Sequence, residues 1–252
     1  MSGVFVKKED KNILHNINLK IECGERIAIL GQNGSGKSSL VKTMIGEYRC
    51  DSSTNGSVKI YGKTLWNIFD IRKAFGIVSN EIQTDFRKDM TAEDAVLSGF
   101  FGSVGTNRSQ HIDDEMRQKA DSALENVCAL QLKGRRLKAF SSGEMRRIIM
   151  ARALVNDPEA LILDEPMNSL DISGKYLVRR SIEGLVKTGH TIIMVTHDPV
   201  DIGPEFERII MIKDGTIIRD GGVDILTSKN LSELYGVSVN VHKINERTIA
   251  EY

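Results

Sequence analysis

Apolar residues along the chain follow two patterns, one with a period of two and one with helical spacing. Alternation over residues 13–21 predicts a half-buried strand, and short unbroken apolar runs predict buried strands. Helical segments separate these runs, which is typical of a mostly parallel sheet covered on both faces. The predicted strands are 4–6, 13–21, 26–30, 58–60, 75–79, 160–163, 191–195 and 237–241, and the main predicted helices are 38–48, 143–155, 175–188 and 231–235.

Two further features complete the predicted architecture. Asp214-Gly215 between apolar runs is a strong hairpin signal. From about residue 90 to residue 137, β-branched runs give way to Glu, Lys, Arg, Gln, Ala and Leu at helical spacing, which indicates an inserted helical subdomain. We therefore predict one α/β domain over residues 1–252, with a core of 1–87 and 138–252 and a helical subdomain at about 88–137.

Composition and charge exclude several classes of protein. The 34 basic and 34 acidic side chains cancel, so we expect no global attraction to nucleic acid or anionic lipid. Cys23, Cys50 and Cys128 are scattered, which predicts buried or incidental thiols in a reducing compartment. The apolar runs are strand-sized and no signal peptide is recognisable. We expect a cytoplasmic protein; if it serves a membrane, another chain crosses it.

A glycine-rich segment, Gly31-Gln-Asn-Gly-Ser-Gly-Lys37-Ser38, matches the pattern GxxxxGK[ST] and lies between a predicted strand and a predicted helix. Its glycines let the backbone turn N–H groups toward phosphate oxygens. Lys37 would hold the β- and γ-phosphates of a nucleotide, and the Ser38 hydroxyl would ligate Mg²⁺, so this loop alone leaves ATPases, GTPases and kinases open. The predicted nucleotide contacts from this loop are Gly31, Asn33, Gly34, Ser35, Gly36, Lys37, Ser38 and Ser39.

Polar side chains end two later apolar strands. Asp164 and Glu165 follow the run 161–163, where Asp164 could hold magnesium and Glu165 could polarise an attacking water. A strand that simply stops at a charged turn before Pro166 is the other interpretation. His197 follows the run 191–195, and ligands bind at the carboxyl ends of such strands.

The segment Phe140-Ser-Ser-Gly-Glu144 precedes a basic helix. Ser141 or Ser142 would be an ordinary N-terminal cap. A helix start with free N–H groups and a hydroxyl is also an anion site, so both interpretations stay open.

These elements, in this order, resemble the nucleotide-binding subunits of the ATP-binding cassette (ABC) family over nearly the whole chain. The glycine-rich loop resembles Walker A, 161–165 resembles Walker B, His197 resembles the switch histidine, and Ser169-Leu-Asp171 is similar to the D-loop. Residues 140–144 correspond to the signature loop. The resemblance implies a P-loop fold with an N-terminal antiparallel β subdomain. It also implies a head-to-tail homodimer in which Ser141 and Gly143 contact the γ-phosphate across the interface and Asp171 borders the nucleotide. In the same family pattern, Glu165 is the general base and His197 steadies the γ-phosphate.

The chain departs from the family pattern at two places. The signature reads FSSGE, with Ser142 for the first glycine and Glu144 for glutamine. Asn80 occupies the position of the Q-loop glutamine, a candidate ligand of magnesium, and Gln83 is an alternative. Phe5 is the candidate for stacking on adenine, since base stacking contributes ~1–3 kcal/mol; a core role is the other interpretation.

Three functions follow from the resemblance. The first is the ATPase subunit of a transporter with separate transmembrane subunits, because 226–239 resembles the tail of metal-chelate importer cassettes; oxyanion uptake is a second cargo class. The second is a soluble ATPase of the molybdate-associated or photorepair type, which the altered Q-loop favours. A DNA-repair clamp is disfavoured, because the helical region lacks sustained heptads.

Overall fold

The structure is a computed structural model that describes residues 1–9, 11–64, 66–87, 89–106, 109–244 and 247–251. Its strands are β1 (Val4–Lys8), β2 (Lys11–Ile17), β3 (Arg26–Leu30), β4 (Phe75–Val78), β5 (Ala160–Asp164), β6 (Thr191–Thr196), β7 (Arg208–Lys213), β8 (Thr216–Gly221), β9 (Asn240–Ile244) and β10 (Arg247–Glu251). Its α-helices are α1 (Lys37–Met44), α2 (Ile68–Ala74), α3 (Asn80–Asp85), α4 (Ala92–Leu97), α5 (Asp114–Asn126), α6 (Ser142–Leu154), α7 (Ile172–Val186) and α8 (Ser228–Tyr235).

The chain divides into two compact units, Met1–Ile71 with Ile193–Tyr252, and Arg72–Ile192. In the first unit β3 and β7 pair in parallel, with Ile27 opposite Arg208. Strands β7 and β8 form the predicted hairpin, with Asp214 and Gly215 both at positive φ as the two-residue turn requires. The side chains of β3 and β7 are almost all fully buried, as expected for strands of a mostly parallel sheet.

The antiparallel pair of β1 and β2 confirms the predicted N-terminal β element. The predicted strand over 13–21 is wrong at its end, because the pairing of β2 with β1 stops at Ile17, opposite Val4. Leu19 is nevertheless buried, since it exchanges backbone hydrogen bonds with Met1.

Two other strand predictions need correction. Residues 58–60 form no strand; Ile60 makes only an isolated bridge to Lys63. The predicted strand at 237–241 lies three residues later, as β9, and pairs antiparallel with β10, which the sequence did not predict.

In the second unit β4 and β5 pair in parallel, with Phe75 opposite Ala160. Helices α3 to α7 accompany them, and α4, α5 and α7 pack on α6, which is buried along most of its length. Gly143 of α6 and Gly174 of α7 let these two helices touch, because a Cβ at Gly143 would lie 2.9 Å from the Gly174 Cα. The predicted boundaries of the helical subdomain within the single domain, at 87/88 and 137/138, stay a prediction.

Cys23 and Cys128 are exposed and Cys50 is half-buried, which fits incidental rather than buried cysteines, and all three are free thiols. Over the described part of the chain, no helix is both long enough and apolar enough to cross a bilayer.

Candidate nucleotide-binding site

The glycine-rich loop connects β3 to α1 and leaves the start of α1 open. Gly34 and Gly36 have φ of 80° and 105°, a conformation that glycine adopts without steric cost. No side chain caps α1, and its first turn carries no acidic residue. The first N–H groups of the helix and the positive end of its dipole are therefore available to an anion.

Neighbouring backbone atoms leave little room for a side chain at two of the loop glycines. A Cβ at Gly31 would lie 2.4 Å from the Ile212 carbonyl oxygen, and one at Gly36 would lie 3.2 Å from the Gly215 Cα. The Gly215 N–H donates to the Ser35 carbonyl at 2.8 Å, and the Gly31 N–H donates to the Thr196 carbonyl at 3.3 Å. The β7–β8 turn and the end of β6 thus hold the loop in place.

Side chains of the loop suit a phosphate ligand. Lys37 is 6% exposed, and its Nζ donates to the carbonyl oxygens of Gly31 at 2.8 Å and Gln32 at 2.9 Å. The Ser35 Oγ is buried and, within the described residues, has no hydrogen-bond partner. Asn33 and Ser38 are exposed, and Ser39 is half-buried. A phosphate would satisfy the uncapped N–H groups and the Ser35 hydroxyl.

His197 follows β6 in the same unit as the loop, and its side chain is half-buried. Its carbonyl oxygen accepts a hydrogen bond of 2.7 Å from the Tyr235 hydroxyl. The Gln32 side-chain amide donates to the Tyr235 carbonyl oxygen. The end of α8 therefore touches both the phosphate loop and the histidine segment. Sequence reasoning assigned no role to either residue, because Gln32 occupies a variable position of the GxxxxGK[ST] pattern and no residue motif marks Tyr235.

Phe5 lies half-buried in β1, and its carbonyl accepts from the Asp51 N–H at 2.8 Å. Its role as an adenine-stacking residue stays a prediction.

Asp164 and Glu165 lie in the second unit, at the end of β5. Glu165 has φ 49°, which is strained for a side chain with a Cβ, and Pro166 follows it. Such strain persists only where the surrounding structure enforces it, and it concentrates at functional sites. Arg146 of α6 is only 2% exposed. Burial lowers the pKa of Arg146, and the nearby negative charge of Asp164 acts against that lowering.

Ser141 is the N-cap of α6, and Glu144 completes a capping box. The Ser141 Oγ accepts from the Glu144 N–H at 3.2 Å, and the Ser141 N–H donates to Glu144 Oε2 at 2.9 Å. Capping uses the hydroxyl as an acceptor, and a side-chain hydrogen bond from Ser141 also acts on the Glu144 carboxylate. Contact of the Ser141 hydroxyl with an anion would therefore compete with this local hydrogen bond.

Glu144, the departure from the family pattern, has a cationic partner. Arg135 Nη1 lies 2.6 Å from Glu144 Oε1. Burial acts to raise the pKa of Glu144, but the Ser141 N–H and the Arg135 guanidinium lower it below its ordinary value. The carboxylate is therefore ionised at neutral pH, and sequence reasoning had assigned no role to Arg135.

Asp171 caps α7, with Oδ1 accepting from the Gly174 N–H at 2.7 Å and the Ser173 hydroxyl at 3.0 Å. These hydrogen bonds lower the pKa of Asp171. Its predicted contact with nucleotide therefore competes with a local capping role. Asn80 begins α3, but its side chain and that of Gln83 lie outside what the structure describes.

The phosphate loop between β3 and α1 defines a P-loop nucleotide-binding protein. Comparisons place it more narrowly. The ABC transporter family model matches residues 14–168. The ABC transporter ATP-binding protein YmeB of Lactococcus lactis, itself uncharacterized, is 31% identical over 98% of this chain and 95% of its own.

Solved structures agree with this match. CbiO1 from Clostridium perfringens, part of the ABC transporter complex cbiONQ, is 27% identical with a TM-score of 0.75, covering 92% of this chain and 91% of its own. The cassette MJ0796, solved as a dimer in a post-hydrolysis state with ADP and Pi, is 26% identical with a TM-score of 0.70, covering 88% and 97%. The chain belongs to the ABC transporter family, as an ATP-binding cassette.

Proposed function

We propose that this chain hydrolyses Mg-ATP and drives a separate transmembrane subunit. The observation that carries the hydrolysis proposal is Glu165, a carboxylate held at φ 49° directly after the strand that ends at Asp164. Strained backbone at a strand tip, on the residue suited to be a general base, is typical of an active site.

Each residue has a role in this proposal. The α1 N-terminus and Lys37 bind the phosphates, and Ser38 and Asp164 hold the magnesium ion, which neutralises phosphate charge when bound. Glu165 accepts a proton from the attacking water. His197 donates a hydrogen bond to the γ-phosphate. These residues come from both units, and their action on one nucleotide rests on the motifs and on family membership.

We further propose that two copies of the chain associate head to tail on ATP. The Ser141 hydroxyl and the Gly143 amide of one copy then contact the γ-phosphate held by the other, with Asp171 beside it. The exposed position of Ser141 at the start of α6 and the dimeric structure of MJ0796 support this arrangement.

A membrane permease is the proposed partner, since CbiO1 is part of a transporter complex. In this proposal the chain lies at the cytoplasmic face of a membrane. The tail at 226–239 favours a metal chelate as cargo over an oxyanion. A soluble cassette is the second candidate, and Asn80 at the Q-loop position is the observation that favours it.

The test uses tagged Glu165→Gln, with Glu183→Gln on the exposed face of α7 as the matched control. Glu165→Gln should bind ATP, lose turnover and form a stable dimer, whereas the control should hydrolyse ATP normally. Normal hydrolysis by Glu165→Gln would refute the base assignment. Mass spectrometry of the variant captured with Mg-ATP from gently solubilised native cells then separates the two candidates. A stoichiometric multi-span permease supports the transporter, and the ATPase alone supports the soluble cassette.

A further inference from the structure

The start of α6 carries a negative charge close to the proposed phosphate contact. Glu144 is 19% exposed, and its carboxylate accepts from the backbone N–H of Ser141. The ATP γ-phosphate is also an anion. An unbalanced carboxylate here would therefore repel the ligand that the Ser141 hydroxyl is proposed to bind.

Arg135 is fixed beside this carboxylate by three contacts. Nη1 lies 2.6 Å from Glu144 Oε1, Nη2 donates to the Ala139 carbonyl at 3.2 Å, and the guanidinium lies 5.1 Å from the Phe140 ring centroid. Although the side chain is 45% exposed, an arginine held by contacts to three separate residues is oriented rather than free. Its positive charge therefore lies beside residues 139–144, the segment that leads into α6.

We propose that Arg135 is a positioning residue of the signature loop, which neutralises Glu144 so that the start of α6 attracts the γ-phosphate bound by a second copy of the chain. This inference rests on the proposed head-to-tail dimer. It assigns Arg135 an electrostatic role, distinct from packing against Phe140. With Glu144 and Arg135 paired, the remaining field at Ser141 is that of the helix N-terminus, which is positive.

The test measures the ATP concentration that gives half-maximal dimer, by light scattering during gel filtration in the Glu165→Gln background. Four variants are compared: Arg135→Ala, Arg135→Lys, Glu144→Gln and the double variant Arg135→Ala/Glu144→Gln. Glutamine at 144 still completes a capping box, so α6 keeps its start. The control is Arg117→Ala, which breaks a comparably exposed pair between Arg117 Nη1 and Glu93 Oε1 at 3.0 Å.

Arg135→Ala should raise the required ATP concentration by about fivefold, the effect of one charge near a helix N-terminus. Arg135→Lys keeps the charge and should lie near the parent. Glu144→Gln leaves the positive charge of Arg135 without its carboxylate partner and should lower the required ATP concentration. The double variant should return to the parent value, because no carboxylate then needs neutralising. If Arg135 acted only through packing, the double variant would stay as impaired as Arg135→Ala, because it still lacks the contacts to Phe140 and Ala139.

Two results would overturn this inference and leave the proposed dimer standing. One is an Arg135→Ala protein that behaves like Arg117→Ala, and the other is a double variant that remains as impaired as Arg135→Ala. Thermal unfolding without nucleotide shows whether each variant is folded, and Arg135→Lys carries the test if Arg135→Ala is not. Absence of any ATP-dependent dimer in the Glu165→Gln parent would remove the proposed dimer and this inference together.

Discussion

The Tyr235 hydroxyl donates a hydrogen bond of 2.7 Å to the His197 carbonyl oxygen, across 38 residues of sequence. The Tyr235 carbonyl oxygen in turn accepts from the Gln32 side chain of the phosphate loop. The end of α8 is thereby hydrogen-bonded to the phosphate loop and to the segment that carries the candidate residue His197. Its proposed consequence is that α8 sets the backbone position from which the His197 imidazole acts.

Tyr235→Phe removes this hydroxyl and keeps the ring. We expect kcat for ATP hydrolysis to fall by about threefold to tenfold, the range for losing one hydrogen bond that positions a catalytic group. The Kd for ATP should change little, because the loop keeps its own contacts. Tyr61→Phe, on an exposed tyrosine, is the control for steady-state kinetics. An unchanged kcat in Tyr235→Phe would show that the bond has no catalytic consequence.

Glycine at position 165 should relieve backbone strain. Left-handed φ costs about 1–2 kcal/mol for a residue with a Cβ, while glycine's extra freedom in the unfolded chain costs about 0.4–1 kcal/mol. Glu165→Gly should therefore be more stable than Glu165→Ala by about 0.5–1 kcal/mol, although both lose ATP hydrolysis. Denaturant unfolding measures this difference.

The helical residue Glu183 provides the matched comparison for that experiment. Inside α7, glycine should be less stable than alanine by about 1 kcal/mol, because helical φ suits alanine. The order of the two variants should thus reverse between positions 165 and 183. The same order at both positions would mean that Glu165 is not strained.

Gly143→Ala tests the close approach of α6 and α7. A Cβ there would meet the Gly174 Cα at 2.9 Å, so the helices must separate. We expect a loss of about 1–3 kcal/mol in the free energy of unfolding, as for overpacking a core contact. The measurement is made without nucleotide, so that only folding is tested.

Gly134→Ala is the control for Gly143→Ala, because nothing lies within 4 Å of a Cβ at Gly134. It should unfold like the parent. A Gly143→Ala protein as stable as this control would mean that the signature glycine is needed for ligand contact alone.

Lys37→Ala should weaken ATP binding by more than about tenfold, since a charged donor to the phosphates is lost. Isothermal titration calorimetry measures the Kd. Lys42→Ala, which removes a lysine from the last turn of the same helix, should bind ATP like the parent. Equal Kd values for the two variants would contradict the assignment of the phosphate loop.

Much of the fold could be predicted from local patterns. The strand–loop–helix context of residues 26–44, the buried strand that ends at Asp164 and the cap at Ser141 each depend on residues close in sequence. The turn at Asp214-Gly215 is equally local, because its positive φ angles follow from residue type. Local periodicity therefore predicted the fold class, and the contiguous GxxxxGK[ST] motif predicted the position of the phosphate loop.

The errors lie where a strand depends on a distant partner. Residues 58–60 have β-forming side chains but make only an isolated bridge. Strand β9 covers the residues that pair with β10, Asn240–Ile244, and not the predicted residues 237–241. Residues 18–21 lie outside β2, whose pairing with β1 ends at Ile17 opposite Val4. β-propensity indicates that a segment suits a sheet, but the segment joins a sheet only where a partner strand is available to pair with it.

The sequence by itself therefore determined the family, the phosphate loop and the chemistry of its candidate residues, because motifs are contiguous and their backbone requirements are local. Tertiary structure alone decided that Tyr235 holds the His197 backbone, that Gly143 meets Gly174 and that the charge of Asp164 acts on buried Arg146. These contacts join residues 18 to 38 positions apart. Packing and burial create them, and neither leaves a periodic signal in the chain.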